Sequence, residues 1–179
     1  MGAGTLPRVD ASAAAAEQLR EAQAPLKTRY REDPGSALIT LEADGDLDDG
    51  VTCSVKTGQA LVHAGLHPGT GGAPGFACSG DMLLQALVAC AGVTMRAVAT
   101  SLGIDVSGSV HAEGDLDWRG TLSLDKETPV GFTAIRLRFD LESDASDDQL
   151  ATLERLTERY CVVFQTLASS PELSVSLNR

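Results

Sequence analysis

Residues 81–102 read DMLLQALVACAGVTMRAVATSL, and the classification of this stretch decides the fold. Its apolar and small side chains follow one another without strand-like alternation, and Gly103 closes the run where a helix takes a left-handed cap. A helix of roughly 22 residues spans about 33 Å, enough to cross a bilayer. Gln85, Arg96, the acidic flank at Asp81 and the many small side chains argue instead for a helix buried in protein. A helix apolar on nearly every side must be covered on nearly every side. A chain of 179 residues has little material for that, so a dimer is expected.

Outward from this helix the texture changes to alternation. Strands are expected over 106–112 and over 133–141, where Ile135, Leu137, Phe139 and Leu141 alternate with Arg136, Arg138 and Asp140. Ser146 with Gln149 forms a capping box, supported by Asp147 and Asp148 at the positive end of the helix dipole. The helix it opens is expected to run to about Ala168, with Leu150, Leu153, Leu156, Tyr160, Phe164 and Leu167 as one apolar stripe and Cys161 at its edge. Pro171 stops it, and Leu173, Val175 and Leu177 suggest a closing strand. Upstream, 36–62 reads as two or three antiparallel strands with a turn at 45–50, and 68–75 as a loop. Residues 11–30 read as helical, with Pro25 breaking the run or opening a second short helix. The fold class is therefore α+β, with antiparallel sheets around a long central helix. Residues 1–35 form a helical arm, and 36–179 the main domain.

The formal charge is −11, from 14 basic and 25 acidic residues, so neither nucleic acid nor an anionic membrane surface is an expected partner. Residues 1–30 lack the continuous apolar core of a signal peptide, and Leu6 stands where a myristoylation signal needs Ser or Thr; a soluble, cytoplasmic protein is expected. Cys53, Cys78, Cys90 and Cys161 are widely spaced, with no Cys-x-x-Cys pair. Cys53 is read as a packing residue in a strand, and Cys78, twelve residues before Cys90, as incidental, with a place near the site mouth as the alternative. His63 and His67 are four apart, but the segment reads as strand and loop, so their spacing does not make a metal pair. His111 is expected at a strand edge, and 44–49 is a solvated turn lacking the terminal glutamate of a calcium loop. No metal and no cofactor are expected.

The order of strands, long helix with a central cysteine, further strands and a second helix with a cysteine carries a resemblance. GDMLLQALVACAGVTMRAVATSLGI (80–104) resembles the central helix of the OsmC/Ohr family. GDLDWRG (114–120) and VGFTAIRLRFDL (130–141) look like the strand region of its OsmC-like branch, and LERLTERYCVVFQTL (153–167) is similar to its second helix. The resemblance covers roughly residues 51–177, with the segments in family order and at family-like separations.

It implies an intertwined homodimer with active sites at the subunit interface, and reduction of organic hydroperoxides or hydrogen peroxide by a cysteine pair. Cys90 takes the place of the peroxidatic cysteine and Cys161 that of the resolving one. A thiolate attacks the peroxide, becomes a sulfenic acid and condenses with the second thiol, and an external dithiol reductant would restore both. The peroxidases carry a proline and then a glutamate at the helix start, the glutamate holding an arginine that activates the thiol. Here Ser79 and Gly80 occupy those places, and Asp81 becomes the candidate polar organiser. Residues 36–50 contain no Arg or Lys, and Lys56 is the first cation after them. Rival readings are a non-catalytic dimer that binds an apolar small molecule, and a cysteine redox sensor.

Overall fold

The computed structural model describes residues 60–178 without a gap, the strand segments 45–47 and 52–57, and individual residues between 14 and 33. The described arm positions from Ala14 to Glu32, Pro25 among them, are helical. The strand expected before residue 45 lies outside the described residues. The chain divides into two compact units, one of residues 29–88 and 111–138, the other of 1–28, 89–110 and 139–179.

In the first unit β1 (Gly45–Leu47), β2 (Thr52–Thr57) and β3 (Ala60–Gly65) form an antiparallel meander in that order. The turn expected at 45–50 begins later than the sequence implies: Gly45 pairs with Val55 and Leu47 with Cys53. Ladder pairing has outweighed the weak strand preference of Gly and Asp. Thr52 pairs with Gly65 and Thr57 with Ala60, so β2 and β3 are joined by a tight connection. The Gly65 N–H donates to the Ala77 carbonyl at 3.1 Å and the Ala77 N–H to the His63 carbonyl at 2.9 Å, tying the chain back to β3. A single 3-10 turn, Pro68–Thr70, lies between, and it is capped by His67.

Helix α1 (Ser79–Leu102) is continuous, and it ends as its sequence requires. Gly103 has φ +69, the left-handed cap, and the Ile104 N–H reaches back to the Ala99 carbonyl at 2.9 Å. Burial all round is not what one chain provides. Leu87, Ala91, Met95 and Ala99 form one buried stripe at i, i+4 spacing, while Val93 is 72% exposed. Of the most apolar 18-residue window, 22% is buried. Arg96, a polar interruption in the sequence, sends its guanidinium to the Val106 carbonyl.

Strands β4 (Ser107–Asp115) and β5 (Ala134–Glu142) pair with each other. Along β5 the expected alternation holds residue by residue: Ile135, Leu137, Phe139 and Leu141 are half-buried, and Arg136, Arg138 and Asp140 exposed. Gly108 has φ +133, and a Cβ there would lie 2.0 Å from the Asp140 carbonyl oxygen, so only glycine lets β5 approach. Between these strands the short helix α2 (Trp118–Thr121) is capped by Asp117, whose carboxylate accepts from the Arg119 N–H at 3.0 Å.

The core of the second unit gathers Met95, Ala99, Ile104, Val106 and Leu153, flanked by Val98, Phe139, Leu141, Ala145 and Leu150. Leu153 comes from α3 (Asp147–Tyr160), which opens on the capping box expected of Ser146 and Gln149. Fully burying a leucine contributes about 2–3 kcal/mol. The second helix is not continuous to Ala168. It breaks at Cys161 and resumes as α4 (Val162–Ala168). Tyr160 and Leu167, expected in the buried stripe, are 60% and 38% exposed, because the buried line is instead Leu153, Thr157 and Cys161, at i, i+4, i+8. Nor do residues 170–178 form the closing strand. Leu173, Val175 and Leu177 are 80%, 99% and 79% exposed and have no ladder partner among the described residues.

Candidate functional site

The site is built from the break in the second helix. Cys161 has φ −73 and ψ 107, an extended conformation that serves at once as the last cap of α3 and the first of α4. Its N–H still donates to the Thr157 carbonyl at 2.9 Å, and its carbonyl accepts from Gln165 at 2.9 Å. Its side chain is 1% exposed. Thr157, one turn earlier and also buried, donates its hydroxyl to Met95 Sδ at 3.6 Å, which fixes this stretch of the helix against α1. Cys90, on the same α1, is half-buried.

The structure brings Cys90 and Cys161 together: the two thiols share a hydrogen bond. Burial pushes the Cys90 thiol up. The Val163 N–H, the Cys161 thiol, the Val162 N–H and the Thr94 hydroxyl push it down, and together they leave it below the ordinary value of 9.0. Cys161 moves the other way. Burial raises it, the Phe164 N–H lowers it, and the hydrogen bond with Cys90 and the charge on that sulfur raise it further. The two shifts are opposite in sign: the surroundings of Cys90 favour its ionised form relative to an ordinary thiol, and those of Cys161 favour its protonated form.

Asp81 belongs to the other compact unit. It lies in the first turn of α1, nine positions before Cys90, or about two and a half turns. There it lines a cavity of about 260 Å³ with Cys78, His67, Leu84, Trp118 and Phe132. His67 stacks on Trp118 with ring centroids 5.0 Å apart, and its Nδ1 accepts from the Gly69 N–H at 2.9 Å. His63 lies within β3. Gly80, at the place of the peroxidases' glutamate, sits where a Cβ would meet Phe132 and Cys78 at 3.5 and 3.6 Å.

Sequence reasoning missed the main-chain donors at Val162 and Val163, because nothing at 160–163 carries a helix-breaking signal. It also gave no role to Arg136, which spans Glu113 at 2.6 Å and Asp115 at 2.5 Å. Hydrogen bonds from that guanidinium hold both carboxyls below their ordinary range. Arg119, likewise, pairs with Asp117 at 2.6 Å and holds it at about 2.

Residues 71–176 match the model of the OsmC-like protein family. Among solved structures the chain is similar to an OsmC-like protein from Mycoplasma pneumoniae, with a TM-score of 0.61 at 17% identity, covering 74% of this chain and 89% of that one. A hypothetical protein from Aquifex aeolicus gives 0.57 at 17% identity, covering 74% and 90%. An OsmC-like protein of unknown function from Vibrio cholerae gives 0.54 at 12% identity, covering 72% and 94%. At these identities the likeness concerns the fold. No curated protein matches the chain in sequence.

Proposed function

The chain belongs to the OsmC-like protein family, and from that premise we propose that it is a thiol-dependent peroxidase acting on organic hydroperoxides or hydrogen peroxide. Family membership supports a stress-related role. The observation that carries the finer reading is the hydrogen-bonded pair of Cys90 and Cys161 with oppositely shifted thiols. The Cys90 thiolate attacks the terminal peroxide oxygen, the O–O bond breaks, and the leaving alkoxide, or hydroxide from hydrogen peroxide, takes a proton from solvent as Cys90 becomes a sulfenic acid. The Cys161 thiol then attacks that sulfur, water leaves, and a disulfide forms. An external dithiol reduces the disulfide to two thiols and is itself oxidised. This scheme assigns Asp81 no step, and it needs no metal or cofactor.

We further propose a cytoplasmic homodimer. The uncovered side of α1, with Val93 72% exposed, and the exposed Leu173, Val175 and Leu177 support a second copy as their cover.

One equivalent of cumene hydroperoxide added to reduced protein tests the peroxidase. Rapid loss of two thiols, abolished in Cys90→Ser, is expected. No loss within minutes sinks the proposal and leaves a non-catalytic dimer. Loss of two thiols without continued consumption on adding a dithiol makes the pair a redox sensor.

A further inference from the structure

We propose that the cavity of about 260 Å³ beside the start of α1 is a binding site for a small organic cation, an ammonium group carried on a compact aromatic body. Every residue that borders it lies in the first compact unit. Neither Cys90 nor Cys161 takes part, so the site stands independently of the peroxidase reaction.

Two segments distant in sequence make its aromatic wall. The Pro68–Thr70 turn is capped by His67, whose ring stacks on Trp118 of α2 with centroids 5.0 Å apart and planes 22° from parallel. The fit is close: a Cβ on Gly69 would stand 2.8 Å from Trp118 Nε1, so glycine lets the indole lie against the turn. Phe132 reaches the cavity from the chain ahead of β5. At Gly80, the second residue of α1, a Cβ would stand 3.5 Å from Phe132 Cζ and 3.6 Å from Cys78 Sγ. A larger side chain there would start among the lining atoms and fill the space.

The charged groups decide which ligand fits. Asp81 supplies the one carboxylate of the lining, and no Lys or Arg borders the cavity among the described residues. No hydrogen bond or ion pair engages that carboxylate among the described residues. The arginines that flank the lining in sequence are already taken, Arg119 by Asp117 and Arg136 by Glu113 and Asp115. The surroundings are therefore net negative, and the formal charge of −11 attracts cations from farther away. His67 Nδ1 accepts from the Gly69 N–H at 2.9 Å, so the neutral ring carries its proton on Nε2 and offers the cavity a donor. Asp81 is left as the acceptor for an ammonium, and the aromatic faces attract the same charge. An anion would meet Asp81 with no cation to hold it. Pockets for drug-sized ligands run from about 300 to 1,000 Å³, so this one limits its ligand to a single small ring.

Trp118 is the chain's one tryptophan, and its fluorescence reads this cavity directly. Benzylammonium chloride titrated into the reduced full-length protein at neutral pH is expected to give a saturable change. Calorimetry should return the same midpoint, in about the millimolar range. Benzyl alcohol and benzoate, similar in shape, should bind about tenfold more weakly or less. Asp81→Asn should weaken benzylammonium about tenfold, to the level of benzyl alcohol. Gly80→Leu should abolish the response. At saturation the ligand should slow iodoacetamide alkylation of Cys78, and not that of Cys90, in peptide mass spectra.

A parent without a saturable response overturns the proposal, as do equal affinities for the three probes, parental affinity in Asp81→Asn, or unprotected Cys78. Should Gly80→Leu fail to fold, the probe series, Asp81→Asn and Cys78 protection decide it. None of the probes is a peroxide, so this result and the hydroperoxide result stand or fall separately.

Discussion

Replacing Cys161 by Ala removes two things at once: the thiol that would close the disulfide, and one of the four donors that lower the Cys90 thiol. A hydrogen bond to a charged group contributes about 1.5–3 kcal/mol, and a thiol donor belongs at or below the lower end. At 1.36 kcal/mol per pKa unit, the Cys90 midpoint should rise by roughly half a unit to one unit. The Val162 and Val163 amides and Thr94 remain, so Cys90→Ser must still abolish the reaction that Cys161→Ala only slows. The buried sulfur leaves a small void, so a stability loss of about 1 kcal/mol is expected. One equivalent of cumene hydroperoxide, followed by intact mass spectrometry with dimedone present, separates the products. The parent should lose two hydrogens as a disulfide, and Cys161→Ala should carry one dimedone on Cys90. Excess peroxide should drive the variant, and not the parent, to the sulfinic acid. A variant that still forms an intramolecular disulfide at the parental rate, or a parent that over-oxidises at the same dose, refutes the assignment of Cys161 as resolver.

The rate constant for hydroperoxide should rise with pH and level off below the ordinary thiol value of 9.0, because the Cys90 thiol is lowered. The same depressed value stabilises the fold above the ordinary thiol pKa, and that contribution is lost as pH falls through the folded value; stopped-flow rates at fixed peroxide locate the plateau, and a rise continuing beyond 9.0 contradicts it. Gly92→Ala should stabilise by about 1 kcal/mol, since a Cβ there meets only Val110 Cγ2 at an ordinary 3.5 Å within a helix. Gly108→Ala should prevent proper β4–β5 pairing, and thermal melts of the two variants should move in opposite directions. Arg136→Ala should lower the melting temperature at neutral pH. Glu113 and Asp115 are held below 4.5 and 3.8, so the stability they add is present above those values and lost as pH falls through the lowered ones. The difference from the parent should shrink as pH falls through the lowered values, and a pH-independent difference would contradict the pairing.

Much of the fold was legible because its periodicities are local. The two-residue alternation of Ile135, Leu137, Phe139 and Leu141, the Ser146 capping box and the Gly103 stop each reports a backbone constraint within a few residues, and each stands where the sequence put it. The break at Cys161 was not legible. Thr157 through Phe164 contains neither Pro nor Gly, and apolar residues continue at helical spacing on both sides, so no local signal marks the extended residue between α3 and α4. Membership in the pair was legible only through the family resemblance, which named Cys90 and Cys161 but carried an arginine as activator. Two of the four donors that act on Cys90 are backbone amides, which no side-chain pattern can reveal.

What one chain leaves uncovered bears on the proposed homodimer. Leu173, Val175 and Leu177 keep the period of a strand while 80%, 99% and 79% exposed, and a period-two apolar face has no use in water without a sheet edge to join. Among the described residues β4 and β5 form a sheet of only two strands, which is marginal alone and leaves backbone groups open at both edges. Independently, α1 buries one stripe and exposes the apolar Val93 opposite it. A second copy answers both needs with the same surface repeated, which is how a two-fold interface works. Light scattering at micromolar concentration should therefore return twice the mass of one chain. Val93→Asp, placing a charge on the uncovered side of α1, should shift the protein toward the single-chain mass. Removing residues 170–179 should lower the thermal stability of the dimer. A single-chain mass for the parent at these concentrations would refute the argument, because the exposed pattern would then persist in the working protein.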